Sequence, residues 1–305
     1  MIVQQNLSKS TSALNKAIER MTTGSKINHA ADNAAGYSIA KTWEAQLSSL
    51  DVAADNAATG SDMLSTLEDN YSLISSHLQR VRDLTEQAAN GTYGDDSKEA
   101  IQSEIQARLE EVNRIAANCE FNGIELMAGK NASGLNIQVG TDHQADKSQI
   151  KLDGTLFAKA DVTSLFTLSG ADTAGGYTPH TTGAASGASD EEKAAKKIEN
   201  IAKDCAGLGA NANYTAPKML QRIDSVISNI SDRVTKLGAA QNRIESAIES
   251  IGVQSENITS SLSTLRDADV ATESSNYIKA QILQQASATL LATANQTPSI
   301  ALNLL

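Results

Sequence analysis

Residues 47–90, LSSLDVAADNAATGSDMLSTLEDNYSLISSHLQRVRDLTEQAAN, decide how the chain is read. Their apolar or small residues stand at Leu47, Leu50, Ala54, Ala57, Ser61, Leu64, Leu67, Tyr71, Ile74, Leu78, Val81, Leu84 and Ala88. Each step is three or four residues, so all of them fall on one face of an α-helix. Proline is absent, and Gly60 is the one glycine before the stop at Asn90-Gly91. At ~1.5 Å per residue such a helix is roughly 65 Å long, well beyond the usual helix of a globular domain. It cannot bury its stripe alone and must lie against partner helices.

A second stripe of the same kind passes through Met219, Ile223, Val226, Ile230, Val234, Leu237, Gln241, Ile244, Ile248, Ile251, Ser255, Ile258, Leu262 and Leu265. It predicts another helix, roughly 70 Å long. Gln241 and Ser255 put polar groups into the seam, a device that fixes register. Gly238 and Gly252 each cost ~1 kcal/mol in a helix interior, so they are expected to mark close approaches between helices.

Between the stripes, Asp96 and Glu99 have capping-box spacing and open a helix to about Cys119, antiparallel to the first. FNG at 121–123 is a turn signal. Residues 136–139 and 149–152 alternate as the arms of a β-hairpin. From Thr163 to Ser189 the composition shifts to Gly, Ala, Ser and Thr, with Pro179 inside, which predicts a loop or weakly structured insert. Asp190 to about Ala206 is one helix, and GLGANANYTAP a second break. At the ends, residues 1–22 form an amphipathic helix that stops at Thr23-Gly24. SKINHAADNAAGYSIA follows as a linker with short helical turns. RDADVATE breaks the second stripe, and a last helix runs through Tyr277, Ile278, Ile282, Ala286, Leu290 and Ala294 until Pro298 loosens it. The fold class is mainly α: an elongated rod of long antiparallel coiled-coil-like helices, with paired terminal helices, a small β-hairpin region and a short variable insert.

The 305 residues suffice for two ordinary domains or one elongated one. Aromatics are only 3%, so the core is built from Leu, Ile, Val and Ala, which suits narrow helix seams. A net charge of -11 argues against a nucleic-acid or anionic-membrane partner, since both need clustered Lys and Arg. No apolar run approaches the ~18 residues of a spanning helix. The opening MIVQQNLSKS lacks the apolar segment of a signal peptide, so export would take another route. Two cysteines are too few for a disulfide framework. Cys119 continues Ile101, Ile105, Val112 and Ile115, and Cys205 continues Ala194, Ile198 and Ile201. Both therefore read as small core residues, with a bridge between them as the alternative. His29, His77, His143 and His180 are scattered, with no H-E-x-x-H and no His/Cys cluster. No phosphate loop or nucleophile elbow appears, so no metal, cofactor or catalytic residue is expected.

Several strings then carry a family resemblance: SALNKAIERMTTGSKINHAADNAAGYSIA at 12–40, LQRVRDLTEQAANGT at 78–92, IQSEIQARLEEVNRIA with FNGIEL at 101–126, LGAAQNRIESAI at 237–248, and RDADVATESSNYIKAQILQQASATLLATANQ at 266–296. In this order, at both ends of the chain, they resemble bacterial flagellin. The resemblance implies a non-enzymatic subunit that polymerises into the flagellar filament for motility. It implies residues 1–40 and 266–305 as the inner-tube domain, 41–160 and 217–265 as the rod domain, and 161–216 as the variable insert. Polymerisation would use Leu7, Leu14, Ile18 and Met21 against Ile278, Ile282 and Leu290. The family usually carries a further stretch before the position of Ile2. Either translation starts further upstream or the terminal domain is short, and the chain as it stands is expected to assemble weakly by itself.

Implied partners are further copies of the chain, the flagellar export chaperone, the cap proteins and host Toll-like receptor 5. The implied location is extracellular, in the flagellum, after unfolded export. The charges Arg80, Arg82 and Asp83 would by themselves indicate only a solvated face. The resemblance instead places the receptor epitope there, at Arg80, Leu84 and Glu104 with Gln79, Gln87, Ile101 and Arg108 nearby. Arg80 and Leu84, at i and i+4, are expected to present a cation beside an apolar knob. A hook–filament junction protein is the rival structural reading, opposed by the intact string at 78–92. Ser and Thr of 163–189 are potential glycan acceptors.

Overall fold

The computed structural model describes residues 2–142, 144–168, 189–209 and 215–302. The helices are α1 (Ile2–Thr23), α2 (Ala34–Ala89), α3 (Asp95–Asn118), α4 (Ala145–Ser148), α5 (Val162–Leu168), α6 (Asp190–Cys205), α7 (Ala216–Arg266) and α8 (Val270–Leu302). The strands are β1 (Glu120–Phe121), β2 (Ile124–Glu125), β3 (Leu135–Gln138) and β4 (Gln149–Leu152). Two compact units result: Met1–Val52 with Gly252–Leu305, and Ala53–Ile251.

The second unit holds the main core. Leu64, Leu67, Tyr71, Ile74, Leu78, Val81, Leu84 and Ala88 of α2 are all buried, as the three-and-four spacing requires. They join Ile101, Ile105, Leu109 and Val112 of α3 and Met219, Ile223, Val226, Ile230, Leu237 and Ile244 of α7 in one apolar cluster. Side chains of this size contribute ~1.5–3 kcal/mol each when fully buried. Three polar links between α2 and α7 fix their relative direction. Glu68 accepts from Gln241 at 2.9 Å, Tyr71 from Arg233 at 3.4 Å, and Asp224 from Arg82 at 2.6 Å. The α2 number rises as the α7 number falls, so the helices are antiparallel.

Two hairpins complete this unit. Phe121 pairs with Ile124, and the two residues between them, Asn122 (φ 49) and Gly123 (φ 77), both lie in the left-handed region. That is the signature of a tight type I′ turn, which Asn-Gly suits. β3 and β4 pair antiparallel, Ile137 opposite Ile150. Gly60 of α2 is where this hairpin meets the helix: a Cβ there would stand 2.4 Å from Ile137 Cδ1. Arg233 is buried and donates to the Ala158 carbonyl at 3.1 Å, while the Tyr71 hydroxyl donates to the Leu156 carbonyl at 2.8 Å. Together they tie the segment after β4 to the helices.

In the first unit, α1 packs along α8 and the flanking connections are stitched together. The Lys26 amide donates to the Arg266 carbonyl at 2.6 Å and the Ala268 amide to the Gly24 carbonyl at 2.8 Å. Glu44 accepts from Lys41 at 2.7 Å and pairs with Arg266.

Several expectations are corrected. The long helix begins at Ala34, so AGYSIA is helical and not part of a linker. No capping box forms at Asp96 and Glu99; α3 starts one residue earlier, after Gly94, and carries no side-chain cap. A capping box does form at Ser189 and Glu192, where it opens α6. Thr163–Leu168 is helical, which leaves 169–188 of the expected insert, with Pro179 and His180, outside the described residues. His143 also lies outside them. α8 runs past Pro298, so the helix does not end there. Gly238 and Gly252 mark no close approach, since a Cβ at either would meet nothing within 4 Å.

Candidate functional site

Two surfaces carry the residues singled out in the sequence, one on each unit. The first lies on α1 and α8. Their shared seam is small and polar: Ala17 and Ala280 are buried, Arg20 meets Glu273 at 2.9 Å, and Gln284 donates to the Thr11 hydroxyl at 3.2 Å. The large apolar residues stand elsewhere. Ile18, Met21, Ile278, Ile282, Leu283 and Leu290 are all exposed, Ile282 by 60%. Leu7 and Leu14 are half-buried. The expectation that this apolar stripe is buried between α1 and α8 is therefore corrected for Ile18, Met21, Ile278, Ile282 and Leu290. Within the chain, alanines and polar pairs take the seam, with Leu7 and Leu14 half-buried, while Ile18, Met21, Ile278, Ile282 and Leu290 stay exposed. The sequence held the signal: Glu273, Tyr277, Ala280, Gln284, Ser287 and Leu291 recur every three or four residues as a separate, less apolar stripe.

A connection between α1 and α2 supports that pair. Asp32 meets Lys16 at 2.6 Å and accepts from the backbone amides of Asn28 and His29. Lys16 and these amides hold its carboxyl at a pKa of about 2. Sequence reasoning singled out neither Asp32 nor Lys16.

The second surface lies on α2 and α3. Arg80 donates from Nε to Glu104 at 3.0 Å, with its second nitrogen at 2.9 Å, and Arg108 reaches the same carboxylate at 3.8 Å. This ionic cluster is partly solvated and spans the two helices. Gln79 and Gln87 are exposed, and Gln87 donates to the Tyr93 hydroxyl at 2.9 Å. Leu84 and Ile101 do not join them. Both are buried, Leu84 at 2% exposure, so the expected apolar knob beside Arg80 is corrected: Leu84 packs into the core. The signal was in the sequence: Leu84 belongs to the buried three-and-four stripe of α2 and Arg80 does not.

Other chemistry is sparse. Cys119 and Cys205 are free and buried, and burial raises their thiols to pKa values of about 11 and about 12. Among the described residues no group of His, Cys, Asp and Glu is placed to hold a metal ion. No described helix is long and apolar enough to cross a membrane.

Long antiparallel helices, two small hairpins and a terminal helix pair with exposed aliphatic residues define a mainly α, long-helix protein. Comparison with known proteins agrees. Residues 1–132 match the bacterial flagellin N-terminal helical region, and residues 220–305 match the bacterial flagellin C-terminal helical region. The chain is 33% identical to flagellin of Bacillus subtilis over 98% of its own length and 95% of the relative's. It is 30% identical to polar flagellin F of Vibrio parahaemolyticus, over 100% of its own length and 97% of the relative's. A solved Vibrio parahaemolyticus structure, described as that of a flagellar hook-associated protein, shares the fold at a TM-score of 0.58 and 14% identity, covering 77% of this chain and 100% of that one. The chain belongs to the bacterial flagellin family. It is a structural subunit of the flagellar filament and polymerises with its own copies.

Proposed function

We propose that the exposed aliphatic face of α1 and α8, formed by Ile18, Met21, Ile278, Ile282 and Leu290, is the surface through which copies assemble, with half-buried Leu7 and Leu14 at its edge. The observation that carries this reading is the separation of the two stripes: the intrachain seam is polar, and the large apolar residues are left over. Burying each of them in an assembly contributes ~1.5–3 kcal/mol. Residues 1–40 and 266–305 then serve as the inner-tube domain, 41–160 and 217–265 as the rod domain, and 161–216 as the variable insert. Before assembly the chain is exported unfolded, escorted by an export chaperone and placed under cap proteins, so the working location is outside the cell. The test is a strain lacking its own filament, complemented with this chain or with Ile278→Ser/Ile282→Ser. The parent chain is expected to give filaments and swimming, the variant neither, with equal amounts of protein exported. Equal swimming overturns the reading.

A second reading concerns the monomer. The Arg80–Glu104–Arg108 cluster presents charged groups from two helices at one place, flanked by Gln79 and Gln87. This favours the α2/α3 face as the one recognised by Toll-like receptor 5, an innate-immune partner, with Leu84 and Ile101 holding that face from beneath. Arg80→Ala/Glu104→Ala is expected to lose most receptor signalling in reporter cells while helical content stays unchanged. Full signalling by that variant removes the assignment.

A further inference from the structure

The turn between α2 and α3 carries a chemistry the functional reading does not use. Asn90, Gly91 and Thr92 are all exposed. The Thr92 amide donates to Asn90 Oδ1 at 3.2 Å. A hydrogen bond at that oxygen polarises the side-chain carbonyl and stabilises negative charge developing on it, as an oxyanion donor does. The neighbouring nucleophile is the nitrogen of exposed Gly91, which has no side chain of its own. A Cβ built at Gly91 would meet nothing within 4 Å. The backbone bonds at the turn are long: the Asn90 amide donates to the Gln87 carbonyl at 3.2 Å and the Tyr93 amide to the Asn90 carbonyl at 3.4 Å.

The geometry points to Asn90 as a site of spontaneous deamidation in the folded protein. The Gly91 nitrogen attacks Asn90 Cγ, and the new C–N bond closes a five-membered succinimide. The Cγ–Nδ2 bond breaks and ammonia leaves, carrying the proton lost from the Gly91 amide. Water then opens the ring at either carbonyl, giving aspartate or isoaspartate. The product carries one more negative charge at the C-terminal end of α2, where the helix dipole disfavours it. The isoaspartate form also lengthens the backbone by one methylene beside the Gln87–Tyr93 hydrogen bond.

The chain's other Asn-Gly pair, Asn122-Gly123, is the built-in comparison. Ring closure needs rotation about the asparagine Cα–C bond. At Asn122, locked in the left-handed region between Phe121 and Ile124, that rotation breaks the hairpin pairing. At Asn90 it breaks no ladder.

The experiment incubates the full folded chain at mildly alkaline pH and maps both sites by peptide mass spectrometry, with isoaspartate detected separately. A parallel sample is held in denaturant. Asn90 is expected to convert several-fold faster than Asn122 in the folded chain, and the two rates to converge in denaturant. Gly91→Ala, which has open space around its new methyl group, is expected to slow conversion at Asn90 several-fold without changing the circular dichroism. Equal rates at Asn90 and Asn122 in the folded chain overturn the proposal, as does a Gly91→Ala variant that converts at the parent rate.

Discussion

Leu84 and Arg80 stand one helical turn apart on α2, and a truncation at each has a different cost. Leu84 is surrounded by the core, so Leu84→Ala removes buried methyl groups and leaves a cavity. We expect a loss of about 2–5 kcal/mol in denaturant unfolding. Arg80 pairs with Glu104 while about half exposed, and Arg80→Ala should change stability by no more than about 1 kcal/mol. Equal losses would contradict the burial assignments. This separation also decides how receptor variants are read: a Leu84→Ala defect reports folding, an Arg80→Ala defect reports recognition. Asp32 adds a pH dependence. Its folded pKa is depressed to about 2 from 3.8, so its stabilisation is complete above the unfolded value and is lost as pH falls through about 2. Thermal melts followed at Trp43, which lies in the same unit, should separate parent from Asp32→Asn at neutral pH and converge near pH about 2. A gap that persists at that pH assigns the effect elsewhere. Neither Asp32 nor its partners were legible in the sequence, because a side chain caught by backbone amides leaves no periodic trace.

At the scale of elements, the two long stripes translated directly into α2 and α7, because three-and-four spacing maps onto one helical face whatever the partner is. The Asn-Gly turn at 122–123 and the pairing of 135–138 with 149–152 were legible for a similar reason, since turn chemistry and alternation are local. Glycines were harder. Gly60 makes the close approach, to Ile137 of a hairpin far along the chain, while Gly238 and Gly252 approach nothing. Sequence shows where a Cβ is missing and not what fills the space. It follows that Gly238→Ala and Gly252→Ala should each stabilise the protein by up to ~1 kcal/mol, read as a shift in the denaturation midpoint. Destabilisation by either would show a hidden packing contact. The cap of α6 was present as Ser189 and Glu192, three residues apart, yet Asp96 and Glu99 show the same spacing and form no box. Spacing permits a cap only at the residue that precedes the helix: Ser189 stands there, whereas Asp96 already lies inside α3.

At the scale of the whole molecule, apolar periodicity identified α1 and α8 as helices but misassigned what their apolar residues face. A stripe shows only that something covers it. The structure shows a polar and alanine-rich seam within the chain and, apart from it, exposed aliphatic residues. Family membership supplies further copies of the chain, and the central claim is that these exposed residues join them. The most direct measurement is sedimentation of purified chain under salting-out conditions that strengthen apolar burial, seeded with short filament fragments. Parent and Ile278→Ser/Ile282→Ser are compared at equal concentration, with circular dichroism confirming equal helix content. The account predicts that the parent pellets as filaments and the variant stays in the supernatant. Equal pelleting of the two would contradict it.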